Sequence, residues 1–126
     1  MKELKEELVT FETAKLAKEK GIIFNDIFPF NYSCYLYNGD LKNSDTYKDS
    51  EKIQSNIPTQ SLLQKWLREE HKLCVSIECV NSDLTWDWSV RGVTKFLQEE
   101  YMPDINYSYE EALEKGLQEA LKIIKN

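Results

Sequence analysis

A single histidine, His71, stands among 126 residues, alongside three cysteines, three prolines and four glycines. That scarcity excludes several chemistries. A Ser–His–Asp relay or a histidine-based metal site would have to use His71 itself. Tetrahedral zinc would need Cys34, Cys74, Cys79 and His71 to converge. Cys74 and Cys79 lie five apart in one alternating stretch, so opposite parity sends them to opposite faces. Four glycines leave no Gly-rich loop to cradle a phosphate. No cofactor and no metal is therefore expected.

Long hydrophobic runs are missing too: nothing approaches the ~20 apolar residues of a membrane span. The opening stretch, Met1 to Leu8, alternates charges and has no apolar core of a secretory signal. An odd number of cysteines without such a signal points to reduced thiols, hence to a cytoplasmic location. Positive charge is in short supply. Sixteen Lys and Arg face 22 Asp and Glu, a net charge of −6. A diffusely acidic surface gains nothing from counterion release or anionic lipids, which disfavours nucleic acid and membranes as partners.

What is present is a frame of elements. Pro58 to Val80 is the clearest unit, a capped helix feeding directly into a strand. Thr59 is the natural N-cap, with Ser61 and Gln64 offering a rival capping box. Leu62, Leu63, Trp66 and Leu67 form one apolar stripe, while Gln64, Lys65, Arg68 and Glu69 face water. The period then drops to two: Leu73, Val75, Ile77 and Cys79 share one strand face, and Cys74, Ser76 and Glu78 the other. One buried and one polar face predict an antiparallel sheet covered by helices on one side.

Upstream, Thr10 caps a helix predicted from about Phe11 to Lys20, with Gly21 past its end. Phe11, Ala14 and Ala17 form its inner stripe, and Lys15, Lys18 and Lys20 its solvated end. Tyr32 to Tyr37 reads as a strand stopped by the turn signal Asn38-Gly39. Residues 39–56 read as a long polar loop, whose Asp40, Asp45, Asp49 and Glu51 do not follow the ligand offsets of a calcium loop. Asn81, Ser82 and Asp83 then close a hairpin. Leu84, Trp86, Trp88 and Val90 alternate with polar residues in a strand that pairs with the Leu73–Val80 strand. From Val93 to Tyr101 a helix and a continuing strand are both open. The last helix is plain: Ser108 and Glu111 make a capping box, and Tyr109, Ala112, Leu113, Gly116, Leu117, Ala120, Leu121 and Ile124 one apolar stripe. Glu111 and Lys115 are spaced for an ion pair. Gly116 on that stripe predicts close approach to a neighbouring backbone, with the tryptophan strand a candidate.

The helical runs 11–21 (FETAKLAKEKG), 58–69 (PTQSLLQKWLRE) and 109–121 (YEEALEKGLQEAL) together resemble small uncharacterised proteins encoded by phages and prophages, notably of gut Bacteroidetes. The resemblance implies a phage or prophage origin and carries no mechanism.

The fold expected is α+β: one two-layer domain over 1–126, with a small antiparallel sheet of about three strands packed against about three helices. The function expected is a non-enzymatic binding module for a host protein or a small molecule, with a homodimer compatible with the seven Tyr and three Trp residues. Trp86 and Trp88 either cap the core or, with Tyr35 and Tyr37, supply an aromatic recognition surface. Two alternatives stand beside it. A nucleic-acid-binding regulator would use the 59–71 helix with Lys15, Lys18 and Lys20. A small hydrolase would use Asp83, Asp87 or Cys74, or a Cys74–His71 pair.

Overall fold

The computed structural model describes residues 7–22, 33–43, 53–80, 85–93, 95–98 and 107–125. The fold is α+β, with α1 (Phe11–Glu19), β1 (Ser33–Leu36), β2 (Leu41–Asn43), β3 (Ile53–Ile57), α2 (Gln60–His71), β4 (Cys74–Cys79), β5 (Trp86–Arg91), β6 (Phe96–Gln98) and α3 (Tyr109–Ile123). Among the described residues the strands make two antiparallel three-stranded sheets, in the orders β2-β1-β3 and β4-β5-β6, where one sheet was expected. Contacts gather into two compact units, Met1–Leu62 and Leu63–Lys125, divided within α2.

In the first unit, Thr10 caps α1, its hydroxyl accepting from the Thr13 N–H. The helix ends in a Schellman arrangement: Gly21, at φ 97, donates to the Lys18 carbonyl and Ile22 to that of Ala17. Thr13, Ala14 and Ala17 are its buried residues, with Thr13 in the place expected for Phe11. The Thr13 hydroxyl lies 3.2 Å from that of Thr10, so its burial leaves no orphaned polar group. α1 packs on β3. Val9 and Ile57 are each 1% exposed, and the Val9 N–H donates to Pro58 O.

The Asn38-Gly39 turn closes a β1–β2 hairpin. Gly39 has φ 93, and the Asp40 N–H donates to the Asn38 side chain at 2.9 Å. Within 39–56, where a long polar loop with room for a short edge strand was expected, β2 and most of β3 are found. Both are sheet edges, where backbone ladders hold short polar strands that carry no apolar alternation. Asp45, Asp49 and Glu51 lie outside the described residues, as do Asp83 and the predicted 81–83 turn.

In the second unit, Leu63 and Leu67 of α2 are fully buried. The cap preceding that helix is Thr59, whose hydroxyl accepts from the Leu62 N–H. Lys72, with φ 55, reverses the chain into β4, and the Leu73 N–H reaches back to Leu67 O. β4 and β5 pair from Cys74↔Arg91 to Cys79↔Trp86. The ambiguous stretch after Gly92 resolves as a second hairpin: the Gly92 N–H donates to Lys95 O at 2.8 Å, and β6 returns along β5.

α3 covers β4 and β5 with Ala112, Leu113, Gly116, Leu117, Ala120 and Leu121, all buried. Tyr109, expected on that stripe, is 41% exposed. Gly116 sits where a Cβ would meet Val75 and Trp88, so close approach to the tryptophan strand holds, against side chains rather than backbone. The ion pair expected between Glu111 and Lys115 is replaced by Lys115–Glu119 at 3.6 Å. Glu111 is committed to the cap, where its carboxylate accepts from the Ser108 N–H at 3.0 Å.

Candidate functional site

The second sheet has two unlike faces. Toward α3 it presents Val75, Trp88 and Val90, which are 3%, 7% and 0% exposed. The other face is bare. Register sets its rows: Cys74, Arg91 and Phe96 lie side by side, then Ser76, Ser89 and Gln98, then Glu78 and Asp87. All of these are exposed except Ser89, which is half-buried.

Arg91 and Phe96 are directly opposed on neighbouring strands, and the guanidinium carbon sits 4.8 Å from the centre of the Phe96 ring. That contact holds a cation over an aromatic face, joining the two side chains as one platform. Beside it Cys74 Sγ lies 3.8 Å from Ser76 Oγ. At the far end Glu78 and Asp87 face each other, giving the surface a basic-aromatic end and an acidic end.

Of the two places the sequence left open for Trp86 and Trp88, core cap or aromatic recognition surface, the burial matches the first. Trp88 is core. Trp86 is half-buried, edge-on to Tyr109 with ring centres 5.0 Å apart, and its backbone N–H donates to Tyr107 O. Both tryptophans sit on the α3 side because they share parity with Val90. Tyr37 is 64% exposed in the β1–β2 turn of the first unit. Tyr35 has its backbone in β1, opposite Leu41 and Ser55, and its side chain lies outside the described residues.

The described residues among those considered for catalysis do not assemble. Cys74 and Asp87 stand at opposite ends of the bare face, about 13 Å apart by strand rise, and Asp83 lies outside the described residues. The His71 ring packs edge-on to Trp66 at 4.5 Å, and no hydrogen bond joins it to Cys74. Among the described residues no three His, Cys, Asp or Glu side chains gather as a metal site. On α2, Arg68 Nε lies 3.6 Å from Glu69, so an acid offsets one of the bases a DNA-reading helix would need. Lys15 and Lys18 are exposed and Lys20 half-buried, diluted by exposed Glu12 and Glu19.

Arg91 and Phe96 were missed as a pair because the β5–β6 hairpin was left open. The signal was present in Gly92, a turn residue after a regular strand, which places both residues on one face once the chain folds back. No protein-family model, curated protein or solved structure matches this chain.

Proposed function

We propose that this chain is a non-enzymatic binding module of phage type, working in the cytoplasm of a bacterial host, that recognises a host protein on the bare face of its second sheet. The observation that carries the reading is the Arg91–Phe96 platform, held in register on an exposed sheet face. Arg and aromatic side chains are enriched at protein interfaces, and Arg recurs among the residues that carry most of the binding energy. A small molecule is better served by a concave pocket than by an open sheet surface. Nucleic acid is disfavoured because Arg91 shares this face with Glu78 and Asp87. The phage assignment rests on the three helical runs quoted above. Among the described residues no helix is long and apolar enough to cross a membrane, which is compatible with the compartment proposed.

The test is comparative affinity capture from host lysate with the wild-type chain, Arg91→Ala and Phe96→Ala as baits. A protein retained by the wild type and lost from both variants, whose circular dichroism is unchanged, supports the reading. Retention by all three removes this face as the recognition surface.

A further inference from the structure

The acids of the bare face have no counter-charge beside them. Glu78 and Asp87 stand directly opposed on β4 and β5, where like charges weaken strand pairing. Both are exposed, and no hydrogen bond or ion pair joins either carboxylate to a described residue. Arg91 is the one cation in the rows of this face, and it is out of reach. It lies four residues along β5 from Asp87, about 13 Å by strand rise. Its guanidinium carbon rests over Phe96, and it makes no hydrogen bond or ion pair with a described residue. Its N–H donors are open to an acceptor. Two opposed acids without a cation, and a cation without an acid, describe a face lacking its complement.

The same face supplies that complement. Sheets stack face to face about 10 Å apart, with their strands within about 30° of alignment. A two-fold axis lying across the strands at the Ser76–Ser89 row would bring β5 over β5 of a second copy, reversed. Arg91 then stands over Asp87 of that copy and beside its Glu78, and the exchange is made twice. Ser76 and Ser89 have short side chains, so the two sheets can close at the axis. An axis along the strands would instead set acids on acids, so charge selects between the two. An unrelated partner would need its cation and acids at this same ~13 Å spacing. A second copy carries them there by symmetry.

We propose that the bare face of the β4-β5-β6 sheet pairs with the same face of a second copy of this chain, each Arg91 meeting the acids Asp87 and Glu78 of the other. This goes beyond the recognition reading. It gives that face an occupant in the free chain, which a host protein would have to displace. The interface is small and polar, so its dissociation constant is expected in the high micromolar range.

The experiment is analytical ultracentrifugation of the full chain from low micromolar to near-millimolar concentration. Salt is held at ~0.15 M, which screens the −6 charge of each copy beyond about 8 Å. The wild type is expected to show a concentration-dependent dimer. Arg91→Glu and Asp87→Arg should each weaken association about ten-fold or more, because two-fold symmetry counts every reversal twice. Mixed in equal amounts, the two variants should associate with each other at least as well as the wild type with itself. Acid then meets base at both contacts, a recovery that damage to either fold would not give. Circular dichroism should be unchanged in both, and Glu78→Arg replaces Asp87→Arg if that chain does not fold. A wild type monomeric over the whole range overturns the proposal. So does a dimer indifferent to both reversals, or a mixture no tighter than its components. A host protein captured through Arg91 and Phe96 by a strictly monomeric chain leaves the recognition reading standing and removes this one. Recovery on mixing, with no protein captured, does the reverse.

Discussion

A Cβ added to Gly116 would stand 2.8 Å from Val75 Cγ1, closer than carbon atoms tolerate. It would also lie 3.2 Å from Trp88 Cβ, an atom tied directly to the β5 backbone. The absent methyl is what lets α3 seat on the junction of β4 and β5. Gly116→Ala gains about 1 kcal/mol of helix propensity but overpacks this contact at a cost of ~1–3 kcal/mol. A net destabilisation of about 1 kcal/mol is expected, read as a lowered urea midpoint at constant m-value. An unchanged or raised midpoint would mean that the helix stands off the sheet.

The capping box of α3 predicts a pH dependence. The Ser108 backbone N–H and side chain hold the Glu111 carboxyl below the usual glutamate range, because both hydrogen bonds favour the ionised form. A carboxylate whose folded pKa is depressed stabilises the fold above its unfolded pKa, and this contribution is lost as pH falls through the folded value. Glu111→Gln should therefore lower stability at neutral pH and flatten its decline in acid. Equal slopes for Glu111→Gln and wild type between pH ~5 and ~2 would count against the box. Ser108→Ala should cost about 1 kcal/mol at neutral pH.

Gln64 was expected to face water and instead donates to the Val75 carbonyl at 2.7 Å. The Val80 N–H to Thr85 O bond sets the ladder alternation, which turns that carbonyl away from β5 toward the open edge of β4. Gln64 thus closes part of an edge. Gln64→Ala should cost about 1 kcal/mol and speed amide exchange in β4 before that in β5. Uniform exchange in both strands would show that the contact carries no edge-specific role.

Arg91→Ala removes the cation from the Phe96 ring at an exposed site, which should lower stability by only about 0.5–1 kcal/mol. Thermal unfolding checks this. A larger loss would mean that the platform supports the hairpin, and captured partners would then have to be judged against folding.

Helices and caps were legible from sequence. Thr10, Thr59 and Ser108 each cap where hydroxyl chemistry placed them, since a cap needs only a side-chain oxygen a few residues from an unpaired amide. The parity of β4 and β5 was equally legible, because an apolar alternation is a local signal. The edge strands β2, β3 and β6 were not. β2, β3 and β6 are short, and their ladders use backbone groups that every residue carries, so composition does not mark them.

Local pattern alone therefore determined which residues of β4 and β5 share a face and most of the stripe of α3, by matching period to the geometry of one element at a time. Tertiary structure alone decided that the tryptophans are core and half-core, and that Arg91 and Phe96 share the open face. Which side of a strand is solvent depends on where α3 comes to rest, and which side chains become neighbours depends on how the chain folds back at Gly92. Both are long-range outcomes, settled by the burial of the larger apolar face of β4 and β5 against α3.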